Sequence, residues 1–503
     1  MIPHSRGGML WRALLAGVVI VCAAAGTTAV AGLLQFKQLA SDLGSGPVIR
    51  SAPITIANPG SPQTLLIVGS DHRAGEPFSA ANTDTMMLVR LNPNSSTINV
   101  LSIPRDLQVT IPVACNAKLN AAYSYGGTKL LIKTIQQNVF PHFHPNHIID
   151  VNFKAFRDLV NAIGCVYGDI DHRYYNDTRL TDYSSINIQP GYQKLCGAIA
   201  LSFVRFRHTD SDIVRNARQQ DFVRWAKEQY SLSQIFANRD RLLRIFGHNA
   251  ETDHNLHTAD GIENLFKLVA FSDGHTIKQT LFPAQEQPCL PPAPCYVTAT
   301  ASAEAAAWKR FMTPTPQKSA TAASHPNVST AAGGRHGHHA QRAPTGLIAD
   351  VTDAKAQVAQ LTHLKIPVYY PGLILSGSEY CLADAANCPL EVPSAGSYPR
   401  AYTIRDRRGH RYPSYRMTLE INPSQGLYYG VQGTTWLKPP LLDNPTETKV
   451  VNGRTLELFA DGGRLTTVAW RTPTAVYWIS NTLNSYIPNR EMVAIAASLT
   501  RGG

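Results

Sequence analysis

NTDTMMLVRLNPNSSTINVLSIPRD, Asn82 to Asp106, decides the fold. Thr85–Leu91 and Thr97–Ile103 are short runs rich in apolar and β-branched residues, and NPNSS between them supplies hairpin turn chemistry. Just upstream, Thr64–Val68 (TLLIV) is a third apolar run and ends in Gly69-Ser70, as a buried strand followed by a loop would. Working outward, Leu130–Val139 and Phe153–Ile163 carry helical spacing, with His147–Asn152 and Val166–Asp171 as further strands. Helical patterns continue through Asp221–Phe246 and Gly261–Phe271. Strands mixed with helices in this way predict an α/β sandwich with both sheet faces covered.

Polar residues gather where these strands end. Asp71 and Arg73 (GSDHR) follow the first strand, Asp84 (NTDT) begins the second, and Arg105 and Asp106 (SIPRD) follow the third. α/β proteins commonly hold ligands just past the carboxyl ends of strands. Asp71 and Asp84 could converge there on one hard cation such as Mg²⁺, with Mn²⁺ as its substitute; as loop caps they would look the same. Arg105–Asp106 reads equally as an ordinary surface ion pair.

A fourth cluster is LSFVRFRHTDSDIVRNARQQ, Leu201–Gln220. Arg205 and Arg207 alternate, which in an extended segment puts them on one side. Ser211 or Asp212 can cap a helix, after which Arg215, Arg218 and Gln219 share a face. A helix N-terminus with forked guanidinium donors suits a di- or polyphosphate. Phe222 shares that face, so a core-facing stripe paired with buried acids is the rival reading. A Walker loop, a GxSxG elbow and HExxH are all absent, which argues against P-loop NTPases, α/β-hydrolases and zincins.

The whole chain has 503 residues and 44% hydrophobic content, enough for more than one core. Its 46 Lys and Arg against 35 Asp and Glu give a net charge of +11, favouring anionic partners. Ala13–Phe36 is an uncharged run of 24 residues preceded by Arg6 and Arg12, the pattern of a membrane-spanning anchor with a cytoplasmic N-terminus. Its length favours an uncleaved signal-anchor over a cleaved leader, for which Ala29-Val30-Ala31 would be the processing site. The expected layout is residues 1–12 in the cytoplasm, 13–36 in the membrane, a spacer at 37–62, a first folded unit at 63–312, a flexible linker at 313–346 and an α+β unit at 347–503. The linker has almost no large apolar residue, and its His336, His338 and His339 read as solvated rather than metal-binding.

Cysteine usage agrees with export. Cys289–Cys295 and Cys381–Cys388 are near neighbours, six and seven positions apart, suited to local disulfides, and Cys165 and Cys196 are candidates for a third, leaving Cys115 over. An external location and the lack of a basic recognition helix argue against nucleic acid as a partner.

Together LLIVGSDHR, NTDTMMLVRLNPNSSTINVLSIPRDLQVTIP, KLNAAYSYGG and the R-x-R, D-x-x-R and RQQ elements resemble the LytR-CpsA-Psr family of cell-wall assembly proteins over about Thr64–Tyr230. The resemblance implies an α/β/α sandwich with a central mixed sheet and a phosphotransferase acting outside the membrane. Such an enzyme moves a glycopolymer from a polyprenyl-pyrophosphate carrier onto peptidoglycan, with pyrophosphate hydrolysis as a side activity. It further implies Mg²⁺-associated acids at Asp71 and Asp84. Pyrophosphate-binding or charge-stabilising roles fall to Arg73, Arg105, Arg205, Arg207, Arg215, Arg218 and Gln219, with Asp106 and Asp212 orienting those arginines. Asp71, Asp84, Arg105 and Arg218 are the expected catalytic set. Cys165 and Cys196 stand where the family often has Gly and Asp, which supports their pairing. Ile213-Val214 replaces a more usual aromatic-Gly pair. The competing function is a non-catalytic envelope protein that binds anionic glycopolymer or polyprenyl phosphate lipid.

Overall fold

The computed structural model describes residues 47–49, 53–72, 81–179, 185–206, 211–230, 250–272, 275–287, 295–315, 346–382, 397–461 and 463–502, with a few isolated positions between them. A seven-stranded mixed sheet lies at the centre. Its strands in chain order are β1 (Val48–Ile49), β2 (Gln63–Ser70), β3 (Thr83–Leu91), β4 (Thr97–Ser102), β5 (His147–Asn152), β6 (Ala250–Asp253) and β7 (Thr276–Thr280). Their order across the sheet is β1-β6-β5-β2-β3-β4-β7. The β2–β3–β4 meander is antiparallel, while β5 runs parallel to β2, and β7 parallel to β4.

Alternation along the strands assigns the two faces. Leu66, Val68, Met86, Leu88 and Leu101 pack with helices α1 (Leu119–Asn138) and α6 (Ala301–Met312). Leu65, Val89 and Ile98 turn the other way, towards Leu265 and Leu268 of α5 (Ala259–Phe271). Burying each such Leu, Val or Met is worth about 1.5–3 kcal/mol, so the period-two pattern alone fixes the register. The expected α/β sandwich with a central mixed sheet is what the chain forms. Helix α2 (Phe153–Ile163) starts with Asn152, whose side chain accepts from the Ala155 N–H at 2.8 Å, and stops at Gly164, whose φ of +99° suits glycine.

Two expectations need correction. Leu201–Arg205 is not extended: it belongs to helix α3 (Gly197–Arg205), because LSFV is an apolar run too short to separate strand from helix by period. The C-terminal unit is also not separate. Its eight-stranded antiparallel sheet includes Arg411–Asn422, Leu427–Thr434, Arg454–Asp461 and Val476–Ser480. One side of it builds its own core around Met417, Val431 and Ile479. Trp478 and Val476 instead join Tyr167, Tyr192 and Phe203 of the first unit in a common cluster.

Cys165–Cys196 and Cys381–Cys388 are bonded, and Cys115 is free and exposed. Cys295 is also disulfide-bonded, and its expected partner Cys289 lies outside the described residues. Among the described residues no helix is long and apolar enough to cross a membrane. The expected span Ala13–Phe36 lies outside them, as do Arg73, Arg207 and nearly all of the linker.

Candidate active site

The antiparallel meander brings the carboxyl ends of β2 and β4 and the amino end of β3 to one edge of the sheet. Asp71 N–H donates to the Asn82 carbonyl (3.1 Å), and Asp71 Oδ1 accepts from Asn82 N–H (2.5 Å). Asp71 and Asp84 therefore stand on adjacent strand ends, with Asp71 also doing the turn-forming work its loop position suggests.

Asp84 is the hub. Its Oδ1 is paired with Arg105 Nη1, and its Oδ2 accepts from Arg205 Nε at 2.8 Å. Burial pushes this carboxyl up, but the Arg205, Arg105 and Arg215 guanidiniums outweigh it and hold the group below its ordinary value. Arg205, the last residue of α3, also lies over the Phe153 ring at 4.0 Å, so the amino end of α2 helps aim it. Arg105 reaches Asp106 Oδ1 and Asp212 Oδ1, each at 3.9 Å from Nε. Ser211 caps helix α4 (Asp212–Gln229), accepting from Val214 N–H at 3.3 Å, which places Asp212 in the first turn and paired with Arg215.

Accessibility separates the arginines. The Arg105 and Arg205 side chains are 23% and 39% exposed, open to a ligand. Arg215 is almost enclosed and acts on Asp84 through its field. Arg218, expected in the catalytic set, is placed differently from Arg105 and Arg205. It is fully buried, donates to the Phe206 (2.8 Å) and Phe203 (3.3 Å) carbonyls, and lies 4.5 Å over the Tyr174 ring. It ties α3 to α4 and presents no surface to solvent. Gln219 does similar work, donating from Nε2 to the Val204 carbonyl at 3.1 Å.

The structure also adds groups that the residue pattern did not flag. Lys118 Nζ sits 3.0 Å from Asp106 Oδ1; its place at the head of the KLNAAYSYGG run was the available signal. Behind the strand ends, Asp150 of β5 is buried, accepting from Ser70 Oγ at 2.6 Å and from the Tyr123 hydroxyl. Burial pushes its carboxyl up to about 6, against those two hydrogen bonds. His72 pairs with Glu251 at 3.3 Å beside it.

Among the described residues the cluster sets Arg105, Arg205, Arg215 and Lys118 against Asp84, Asp106 and Asp212, with Asp71 on the neighbouring strand end. For a metal, two carboxylates on neighbouring strand ends are the right donor chemistry for a hard cation, and Asp84 is already built to face positive charge.

Residues 40–305 match the model of the LytR_cpsA_psr family, just over half of the 503-residue chain. The chain belongs to the LytR-CpsA-Psr family. Among its relatives is TagT of Bacillus subtilis, a polyisoprenyl-teichoic acid–peptidoglycan teichoic acid transferase, 31% identical over 203 residues, which are 40% of this chain and 62% of that protein. TagU of Oceanobacillus iheyensis, of the same description, is 31% identical over 197 residues, 38% of this chain and 58% of the other. The chain thus spans little more than half the length of these LytR-CpsA-Psr relatives. Among solved structures, Bacillus subtilis TagV is 22% identical with a TM-score of 0.40, covering 50% of this chain and 96% of that one.

Proposed function

We propose that this chain transfers a glycopolymer, through its phosphate, from a polyprenyl-pyrophosphate carrier to a hydroxyl of peptidoglycan, working outside the membrane and anchored by Ala13–Phe36. The observation that carries this reading is Asp84 held between two solvent-accessible guanidiniums, Arg105 and Arg205, with Arg215 behind them at the carboxyl edge of the sheet. The names of the teichoic acid transferases in the family support the substrate class.

In this reading Arg105 and Arg205 turn from Asp84 to the pyrophosphate oxygens, joined by Arg73 and Arg207. Asp106, held by Lys118, and Asp212 keep the guanidiniums aimed. The acceptor hydroxyl gives up its proton to solvent as its oxygen attacks the phosphorus attached to the sugar. A P–O bond forms, the bond to the second phosphate breaks, and polyprenyl phosphate leaves with its new charge neutralised by the arginines. Phosphoryl transfer depends chiefly on such positioning and charge stabilisation. Asp71 and Asp84 are the residues that would hold Mg²⁺ or Mn²⁺, which would supply further neutralisation of phosphate charge.

The test uses full-length chain in membranes with a labelled lipid-linked glycan and peptidoglycan. Loss of labelled wall product in Arg105→Ala, with the folded state retained, supports transfer. Undiminished product in that variant contradicts it. Tight lipid binding without product in the unmodified chain favours the non-catalytic reading instead.

A further inference from the structure

Helix α4 is polar nearly all round, DIVRNARQQDFVRWAKEQ, yet every residue from Val214 to Phe222 is buried. A surface helix of this composition would leave its polar face in water. It is buried because two layers cover it. Arg218 bonds to the Phe203 carbonyl of α3, and Asp221 Oδ1 accepts from Gln279 Nε2 of β7 at 3.0 Å.

The C-terminal unit also touches successive turns of the helix. Leu483 clusters with Val214 and Ala217. Asp461 Oδ2 lies 3.7 Å from Arg224 Nη1, and Arg407 Nη2 donates to the Gln229 carbonyl at 3.2 Å. A close approach falls at the first turn. Gly426, at φ +60°, lies so close to Val214 that a Cβ there would stand 2.7 Å from Val214 Cγ1 and 2.9 Å from Cγ2. Val214 is a knob seated in the hollow left by the missing side chain. Its N–H donates to the Ser211 cap, and the next residue is Arg215.

We propose that the C-terminal unit is a positioning element of the catalytic centre, in which Val214 seated against Gly426 sets the first turn of α4 and so places Arg215 between Asp212 and Asp84. This rests on the transfer reading for its activity readout, but the placement itself does not. Packed interiors respond to sub-ångström intrusions by shifting neighbours, and a misplacement of about 1 Å near a reacting centre costs up to about a hundredfold in rate.

Full-length Gly426→Ala tests this. Its new methyl group pushes Val214, and its left-handed backbone carries strain. Gly453→Ala is the control, since Gly453 has φ +76° and nothing within 4 Å of an added Cβ. Gly426→Ala is expected to lower kcat about tenfold or more with KM little changed, and Gly453→Ala to leave kcat alone. Adding Val214→Ala to Gly426→Ala is expected to restore most of kcat while the melting temperature stays low, because the backbone strain remains. A purely structural role would move both together. Amide hydrogen exchange at Arg215–Gln219 gives the same comparison without substrate: faster in Gly426→Ala and slowed again in the double variant. Unchanged kcat and exchange in Gly426→Ala, or a loss that Val214→Ala does not relieve, overturns the proposal. If the unmodified chain transfers nothing, the transfer reading fails, and the exchange result alone decides this one.

Discussion

Two arginine–carboxylate centres in this molecule look alike on paper and differ in kind. At the sheet edge, Asp84 is shared by Arg105 and Arg205, whose side chains reach solvent. Between the two units, Arg416 is fully buried. Its Nη1 lies 3.1 Å from Asp169 Oδ1 and donates to Ser480 Oγ at 2.8 Å, while Trp478 Nε1 donates to Asp169 Oδ2 at 2.9 Å. In the open centre Arg105 and Arg205 are within reach of a ligand from solvent. The sealed centre has no such access: its charges were desolvated on folding, so removing one strands the other. Accessibility of the guanidiniums, rather than the presence of an ion pair, separates site from scaffold here.

The sharpest way to break that contrast is to cut the sealed centre. Asp169→Ala is expected to destabilise the chain by about 3–5 kcal/mol, since it leaves Arg416 buried without its carboxylate; the denaturant midpoint measures this, and a small shift would put the two centres in one class. At the open centre the effect moves from stability to rate. Arg105→Ala should lower transfer about a hundredfold or more, yet destabilise the chain less than Asp169→Ala, because the buried Asp84 keeps its pair with Arg205. Arg218→Ala should resemble the sealed centre despite its place in the arginine cluster. Loss of its charged hydrogen bonds to two carbonyls costs about 2–3 kcal/mol, and binding of lipid pyrophosphate per folded molecule should be unchanged. A selective loss of binding would return Arg218 to the ligand-contacting set.

The smallest effect lies where α4 meets the C-terminal sheet. Burial, with Asp221 adding to it and Arg224 opposing, pushes the Asp461 carboxyl up to about 6 from an ordinary 3.8. A raised folded-state value means the contribution to stability is complete below the unfolded value and is lost as pH rises through about 6. The unmodified chain should therefore lose more melting temperature than Asp461→Asn between about pH 4 and pH 7, by a few degrees at most. Parallel curves for the two would contradict this placement of Asp461.

The central sheet was legible because its strands alternate, and the edge residues Asp71, Asp84, Arg105 and Asp106 were legible because strands end where Gly69 and Pro104 stand. Asp84, Arg105, Asp106, Arg205, Asp212 and Arg215 do come together. Burial of a polar helix was not legible. Local sequence shows which face of α4 is apolar, not that a sheet some two hundred residues away covers the rest. For that reason Arg218 and Gln219, which share a face with Arg215, were grouped with it although they bond to backbone. Arg416 and Asp169, 247 positions apart, carry no local pattern at all. Lys118 and the Asp150–Tyr123–Ser70 set were missed for a related reason: each is an ordinary residue in its own element and gains meaning only from its partner on another.

The account stands or falls on the fate of the lipid. Full-length chain in membranes, given a polyprenyl-pyrophosphate-linked glycan, peptidoglycan and Mg²⁺, should release polyprenyl monophosphate in step with glycan joined to the wall, both detected by mass spectrometry, and Arg105→Ala should release almost none. Intact lipid recovered quantitatively from the unmodified chain, bound but uncleaved, would contradict it.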